Sequence, residues 1–434
     1  MADSTPNARI GRLAIVGGGI SGVSLALALI QRGIHVQIYE QSRHFAEIGA
    51  GLAFNDAAVR AMKICSPDIN TAFEKVRTNN QWPDKSGIMF DCLDGEHDTE
   101  VAKQKRLFVL SSGTGTNAVH RAHFLEAIAH YLPDGIVHFG KHLDTIVEQK
   151  DSSYQLKFHD GSTADADSII ACDGIKSSVR IWMFGDTHPC SHPQYTYKYA
   201  YRGLVPVARA REALGDDIAS NSHFHLGRDG HVLTFPVDHG ATMNVVLFHT
   251  ATAPWDALPR LTQPSTKEQV KRDFSHHGAT VRKVIDLLEP QLDCWAIFDT
   301  GDSPLPHYNR GRVCLLGDAA HATTPHHGAG AGMCIEDCAV MAELLADERV
   351  TGPEGVQAAF QAFNDQRLER TQWLVQSSRR VGELWDMKAE GVGDDVEMIK
   401  KEIIERYDMV WNGQVKEYIA EAKELLGKIL GEAK

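Results

Sequence analysis

Apolar and polar positions along the chain fall into short runs whose period changes from segment to segment. Leu13-Ala14-Ile15-Val16 is an unbroken apolar run, the pattern of a parallel strand covered on both faces. Gly17-Gly18-Gly19-Ile20-Ser21-Gly22 follows, and Ser21 to Arg32 predicts a helix stopped by Gly33 as a left-handed C-cap. Val36 to Glu40 then predicts a second strand ending in an acid. Leu13 to Ile30 carries no charge over eighteen residues, close to a membrane span, but four glycines interrupt it. Strand, tight turn and buried helix is the reading that accounts for those glycines.

Further along, Ser168 to Cys172 and Val313 to Leu316 read as buried strands. Tyr199 to Val207, Val232 to Val237 and Met243 to His249 read as strands of an antiparallel sheet, with turns at Arg228-Asp229-Gly230 and Asp238-His239-Gly240. From about Gly355 the pattern turns helical, and Val415 to Leu430 has apolar residues at helical spacing among Lys and Glu, as in a packing helix.

The order of strand, GxGxxG, helix, strand and acid is the context of a dinucleotide site. Gly17 permits the turn, Gly19 lets the backbone approach a pyrophosphate, and Gly22 lets helix and strand pack, with Ile20 and Ser21 at the helix N-terminus. Glu40 is placed to bind ribose hydroxyls. NAD and FAD share this pattern, so it leaves the choice open.

Composition narrows the partners. The 434 residues are 43% hydrophobic and 23% charged, an ordinary globular balance, and the net charge of -13 argues against nucleic acid or anionic membrane. Eight cysteines are scattered without CxxC or zinc spacing, so no metal is expected. Polar Met1 to Arg9 does not look like a secretory signal, and a cytoplasmic monomer or homodimer is expected.

Two later motifs point to flavin. Ala171-Cys172-Asp173-Gly174 with Ser177 and Val179-Arg180 resembles the DG motif, and Gly311 to His321, with Gly317-Asp318, resembles the GD motif, of the group A flavin monooxygenases. The resemblance implies an α/β fold: a Rossmann-like FAD-binding domain, an inserted mixed β-sheet substrate domain and a helical C-terminal region. Because the motifs are dispersed, the FAD-binding domain is assembled from 1-75, 105-185 and 295-380, the substrate domain from 76-104 and 186-294, and 381-434 is helical. It also implies FAD as cofactor and NADH or NADPH as co-substrate. Hydride would pass to FAD, and dioxygen would form a C4a-hydroperoxyflavin that hydroxylates a phenolic ring.

The same likeness assigns ribityl contacts to Asp318, a second acidic position to Asp173, and a flavin contact to Arg121 in His120 to Leu125. Pro325-His326-His327-Gly328-Ala329-Gly330-Ala331 would lie by the flavin ring, where small residues allow close approach and a helix N-terminus suits an anion. Glu47 to Gly51 matches the loop under the flavin, although Ala57 stands where that family usually has Asn.

For the substrate, Arg202 sits on a strand that should face the flavin, and a guanidinium in a dry pocket suits a carboxylate or phenolate. His231 resembles a pocket position of salicylate hydroxylases, His326 or His327 is a candidate base or relay, and Phe235 a candidate lining residue. The resemblance implies salicylate-like, decarboxylating hydroxylation to a catechol. Oxidative dearomatisation of a fungal polyketide phenol is the alternative, and a flavin reductase that is not an oxygenase carries less weight.

Overall fold

The computed structural model describes residues 9–45 and 51–431. Leu13–Val16 lies mid-sheet, parallel to Ser168–Ala171 on one side and Val36–Glu40 on the other. Val137–Phe139 and Val313–Leu315 extend the parallel set, and Asn309–Arg310 adds an antiparallel edge. Residue Leu13 is level with both Ser168 and Val36, so the carboxyl ends of these strands share one rim, where open α/β sheets bind ligands.

Helix Ile20–Ile30 leaves that rim and Gly33 turns the chain back at φ +72°, as the pattern predicts. The helix is apolar on nearly every side because Gly330–Ala346 covers its outer face. Gly330–Ala346 is in turn enclosed by Asp56–Cys65, Gly352–Trp385 and Val415–Ile429. The apolar stripe of Val415–Ile429 is thus spent on packing within the chain.

Above the rim stands an eight-stranded sheet in the order Thr262–Thr266, Gln291–Asp299, Gln194–Pro206, Thr242–Thr250, Gly230–Val237, His223–Leu226, Ile88–Asp94 and Arg106–Ser111. It is mixed, since His223–Leu226 runs parallel to Ile88–Asp94 while the other neighbours are antiparallel. Two of its strands run across the expected boundaries: Arg106–Ser111 lies in the stretch expected in the FAD-binding domain, and Gln291–Asp299 spans residue 295. Likewise, helix Gly352–Trp385 runs through residue 380.

Side chains alternate along the sheet. On Gln194–Pro206, Tyr199 and Tyr201 turn away from the rim and both hydroxyls donate to Asp273, at 2.8 and 2.6 Å. Ala200 and Arg202 face the rim. Among the described residues no helix is long and apolar enough to cross a membrane.

Candidate active site

A cavity of about 820 Å³ runs from the rim glycines to the inner face of the large sheet. At its first end Gly17 has φ +101°, and a Cβ there would lie 2.4 Å from the Cys172 carbonyl oxygen. A Cβ on Gly22 would lie 2.0 Å from the Gly17 oxygen, so that glycine serves helix packing and does not line the cavity. Gly19 caps helix Ile20–Ile30, with Ile20 and Ser21 on the cavity wall. Glu40 accepts from the Gly18 N–H at 2.6 Å and the Ser42 N–H at 2.7 Å, one on each oxygen. Two backbone donors therefore aim the carboxylate, and each oxygen keeps acceptor capacity.

Midway, Asp173 and Asp318 meet the cavity from neighbouring strand ends. Asp173 Oδ2 accepts from the Val179 N–H at 3.2 Å, while buried Oδ1 has no partner among the described residues. Burial raises the Asp173 pKa. Asp318 opens short helix Asp318–His321, with its carboxylate open to the cavity. Fully buried Arg180 joins the two turns, donating to the carbonyls of Ala319 at 2.9 Å, Ser191 at 3.1 Å and Ile175. Beneath them Asp337 accepts from Gly317 N–H at 3.2 Å, meets His321 Nε2 at 2.6 Å and accepts from Arg367 Nε at 2.7 Å.

At the far end Gly328, Ala329, Gly330 and Ala331 bring the N-terminus of helix Gly330–Ala346 to the cavity. Arg121, the first residue of helix Arg121–Ala129, lines the opposite side. Gly51 N–H donates to buried Asn244 Oδ1 at 3.0 Å, which ties the chain there to the large sheet. Glu47 to Ala50 lie outside the described residues.

The sheet wall is aromatic and apolar. Phe224, Leu233, Phe235, Val246, Phe248 and Trp295 line it. The Arg202 guanidinium lies 4.9 Å from the Trp295 ring centre, and its buried Nε has no hydrogen-bond partner among the described residues. Burial, reinforced by the positive charge of Arg121, pulls the Arg202 pKa down to about 10. Both perturbations would be relieved by an anion beside it.

The histidines differ from expectation. His231 shares a strand face with Leu233 and Phe235 but does not line the cavity. Phe248 stacks on its ring at 4.7 Å, and Nδ1 meets Asp386 Oδ1 at 2.7 Å behind the wall. His327 does line the cavity, yet its Nε2 meets Ser377 Oγ at 3.2 Å and its ring packs on Tyr407 at 4.6 Å. Burial, with nearby Arg406, lowers its pKa to about 3, a poor value for a base near neutrality. His326 also lines the cavity, and among the described residues neither ring nitrogen has a partner. Trp295, Asn244, Tyr407, Lys198 and Asp386 join the site without having been marked by any motif.

Asp91, Asp217 and His223 are close enough to suggest a metal centre. The Lys85 ammonium already spans the two carboxylates, at 2.6 and 2.5 Å, and fills the cationic role.

Buried neutral histidines make the fold sensitive to acid. His225 and His277, like His327, have pKa values pushed down to about 3, with burial the main cause. Below pH 6.5 the unfolded chain takes up protons that these rings refuse, so each removes up to about 1.4 kcal/mol of stability per pH unit until the folded value is reached. The urea midpoint should fall steadily from pH 6.5 to 5, above the carboxylate range. A midpoint constant over that interval would contradict the burial of these rings as neutral groups.

The acceptors along the cavity suit the ribose and ribityl hydroxyls of one extended cofactor, and the class they define is that of FAD-dependent oxidoreductases. A family described as "FAD binding domain" matches residues 12–378, and the chain belongs to it. It is a flavoprotein monooxygenase that uses FAD, dioxygen and a reduced nicotinamide. It is 43% identical to "FAD-dependent monooxygenase orf3" of Aspergillus niger over 97% of this chain and 98% of that one. "Salicylate hydroxylase asL1" of Sarocladium schorii is 40% identical, over 89% and 84%. A solved "Salicylate hydroxylase substrate complex" superposes with a TM-score of 0.84 at 32% identity, over 96% of this chain and 98% of that one.

Proposed function

We propose that this monooxygenase hydroxylates a phenol held as an anion by Arg202, and that the phenol is salicylate-like. The observation that carries the reading is half-buried Arg202, its guanidinium stacked on Trp295 and its buried Nε without a hydrogen-bond partner among the described residues. A desolvated guanidinium recruits a carboxylate or phenolate far better than a neutral ring. The salicylate hydroxylase relatives support the choice of substrate class.

FAD would be held by Gly17, Gly19, Ile20, Ser21, Glu40, Gly51, Arg121, Asp173, Asp318 and Gly328 to Ala331, with Gly22 closing the helix onto its strand. When bound it supplies the electron transfer and oxygen activation. The chain does the rest. Arg202 favours the ionised phenol, Phe235 and Phe248 keep water from the ring, and the N-terminus of Gly330–Ala346 offers its dipole to negative charge nearby. His326 lines the cavity with both nitrogens buried, and a turn of its ring would offer a neutral imidazole to the substrate hydroxyl. His231 and His327 act from behind or beside it.

Replacing Asp318 with Ala removes a charged acceptor for the ribityl chain, a loss of about 1.5 to 3 kcal/mol if both bonds are buried. FAD should then be lost on gel filtration. Retention of stoichiometric FAD at unchanged affinity would remove Asp318 from the cofactor site.

Hydroxylation of a salicylate at its carboxyl-bearing carbon releases carbon dioxide and leaves a catechol. The apolar wall extends to both sides of Arg202, to Leu233 and Phe224 on one and Leu261 on the other, which favours a second reading, dearomatisation of a larger polyketide phenol. Carbon dioxide released per NAD(P)H oxidised separates them: a ratio near one fits the first, and a dienone of unchanged carbon count fits the second.

A further inference from the structure

Behind the cavity wall lies a buried ionic group that the proposed chemistry does not use directly. Asp386, the fully buried C-cap of helix Gly352–Trp385, accepts from Lys198 Nζ and from Thr250 Oγ1 at 3.1 Å, and meets His231 Nδ1 at 2.7 Å. Lys198 comes from the same strand face as Ala200 and Arg202, four residues from the latter. His231 Nε2 is buried without a partner, and so are both nitrogens of His326. The two imidazoles meet edge to face with ring centres 5.3 Å apart.

We infer that Lys198, Asp386 and His231 are positioning residues that set the tautomer of His326, so that it keeps an N–H for His231 and turns a bare nitrogen toward the substrate hydroxyl. This rests on the phenol reading above. The logic is one of donors and acceptors. Lys198 keeps Asp386 ionised, and a carboxylate can only accept. His231 must therefore carry its proton on Nδ1, which leaves Nε2 as a bare acceptor inside the protein. An unsatisfied buried acceptor costs free energy, and the neighbouring His326 ring carries an N–H able to donate to it.

Histidine χ2 is a soft torsion, so a modest ring turn lets a His326 N–H point at His231 Nε2. The second His326 nitrogen then has only a lone pair to offer to the cavity. Such a pocket selects a ligand with a hydroxyl donor over its methyl ether.

Other groups around His326 favour the same neutral state. His327 follows it in sequence, Tyr407 donates its hydroxyl to the His326 carbonyl at 3.2 Å, and Lys198 stands behind His231. Burial first, then the positive charge of Lys198, holds the His326 pKa well below its ordinary value. A neutral ring has a tautomer to set, whereas an imidazolium has none.

Two measurements on the FAD-loaded enzyme test this. Nitrogen-15 NMR with labelled histidine, assigned with His231→Gln and His326→Phe, should find His231 protonated at Nδ1 and bare at Nε2. A proton on Nε2 would overturn the inference. The second is a double-mutant cycle using Lys198→Met/Asp386→Asn, which removes both charges together. It should lower the hydroxylation kcat by about 10- to 100-fold at normal FAD content, and cause no further loss in a His326→Phe background. An equal loss in both backgrounds would mark the ion pair as merely structural. Absence of turnover with every phenol would instead sink the substrate reading and leave the NMR result standing.

Discussion

Arg202→Ala should lower kcat/KM on the true substrate by about 2 to 5 kcal/mol, the cost of leaving one partner of a desolvated charge pair alone. The size of the effect follows from the dry setting. Trp295 covers one face of the guanidinium, Arg121 repels it, and among the described residues no carboxylate pairs with it. An anionic ligand beside Arg202 would compensate that charge. Flavin content should remain normal. Arg202→Lys should recover little, because a point charge cannot reproduce the planar donor fork or the stacking on Trp295. Steady-state kinetics with a carboxylated phenol and its neutral amide would show the loss confined to the anion.

Arg367→Met should destabilise the folded protein by about 3 to 5 kcal/mol, as expected when a buried carboxylate loses its cation. Arg367 is fully buried and donates to Asp337 at 2.7 Å and Glu336 at 3.3 Å. Arg370 also holds Glu336, at 2.9 and 3.1 Å, so the deficit falls mainly on Asp337. Burial opposes ionisation of Asp337, yet His321 and Arg367 outweigh it and hold its pKa below the usual range. Since Asp337 also receives the Gly317 N–H beside Asp318, FAD affinity should fall together with the denaturation midpoint. A loss under about 1 kcal/mol would mean that this network does not support the Asp318 turn.

What could be read from the sequence was local in the chain. The Gly17 turn, Glu40 at a strand end, and the turns carrying Asp173 and Asp318 each sit within a few residues of the pattern that announces them. The strand carrying Arg202 was expected to face the flavin, and Arg202 lines the cavity. Alternation does not reveal what covers a face. His231 has the parity of Phe235 but is capped by Phe248 and Asp386, the latter 155 positions away in sequence. One clue was present: Lys198 shares the parity of Ala200 and Arg202 in an aromatic strand, and a lysine buried there requires a distant acid. Tyr407 and Asn244 gave no such sign. Their roles arise from the docking of helix Val396–Trp411 and from a contact to the Gly51 backbone.

The central claim is that this flavoprotein places an oxygen atom from dioxygen on a phenol anchored at Arg202. Turnover of the purified yellow protein under oxygen-18 gas, with NADH or NADPH and a panel of salicylates and acyl resorcinols, tests it most directly. The account predicts faster coenzyme oxidation with one substrate class and a product carrying one oxygen-18 atom, both largely lost in Arg202→Ala. Coenzyme oxidation that no phenol accelerates, with hydrogen peroxide as the only oxygen product, would contradict it.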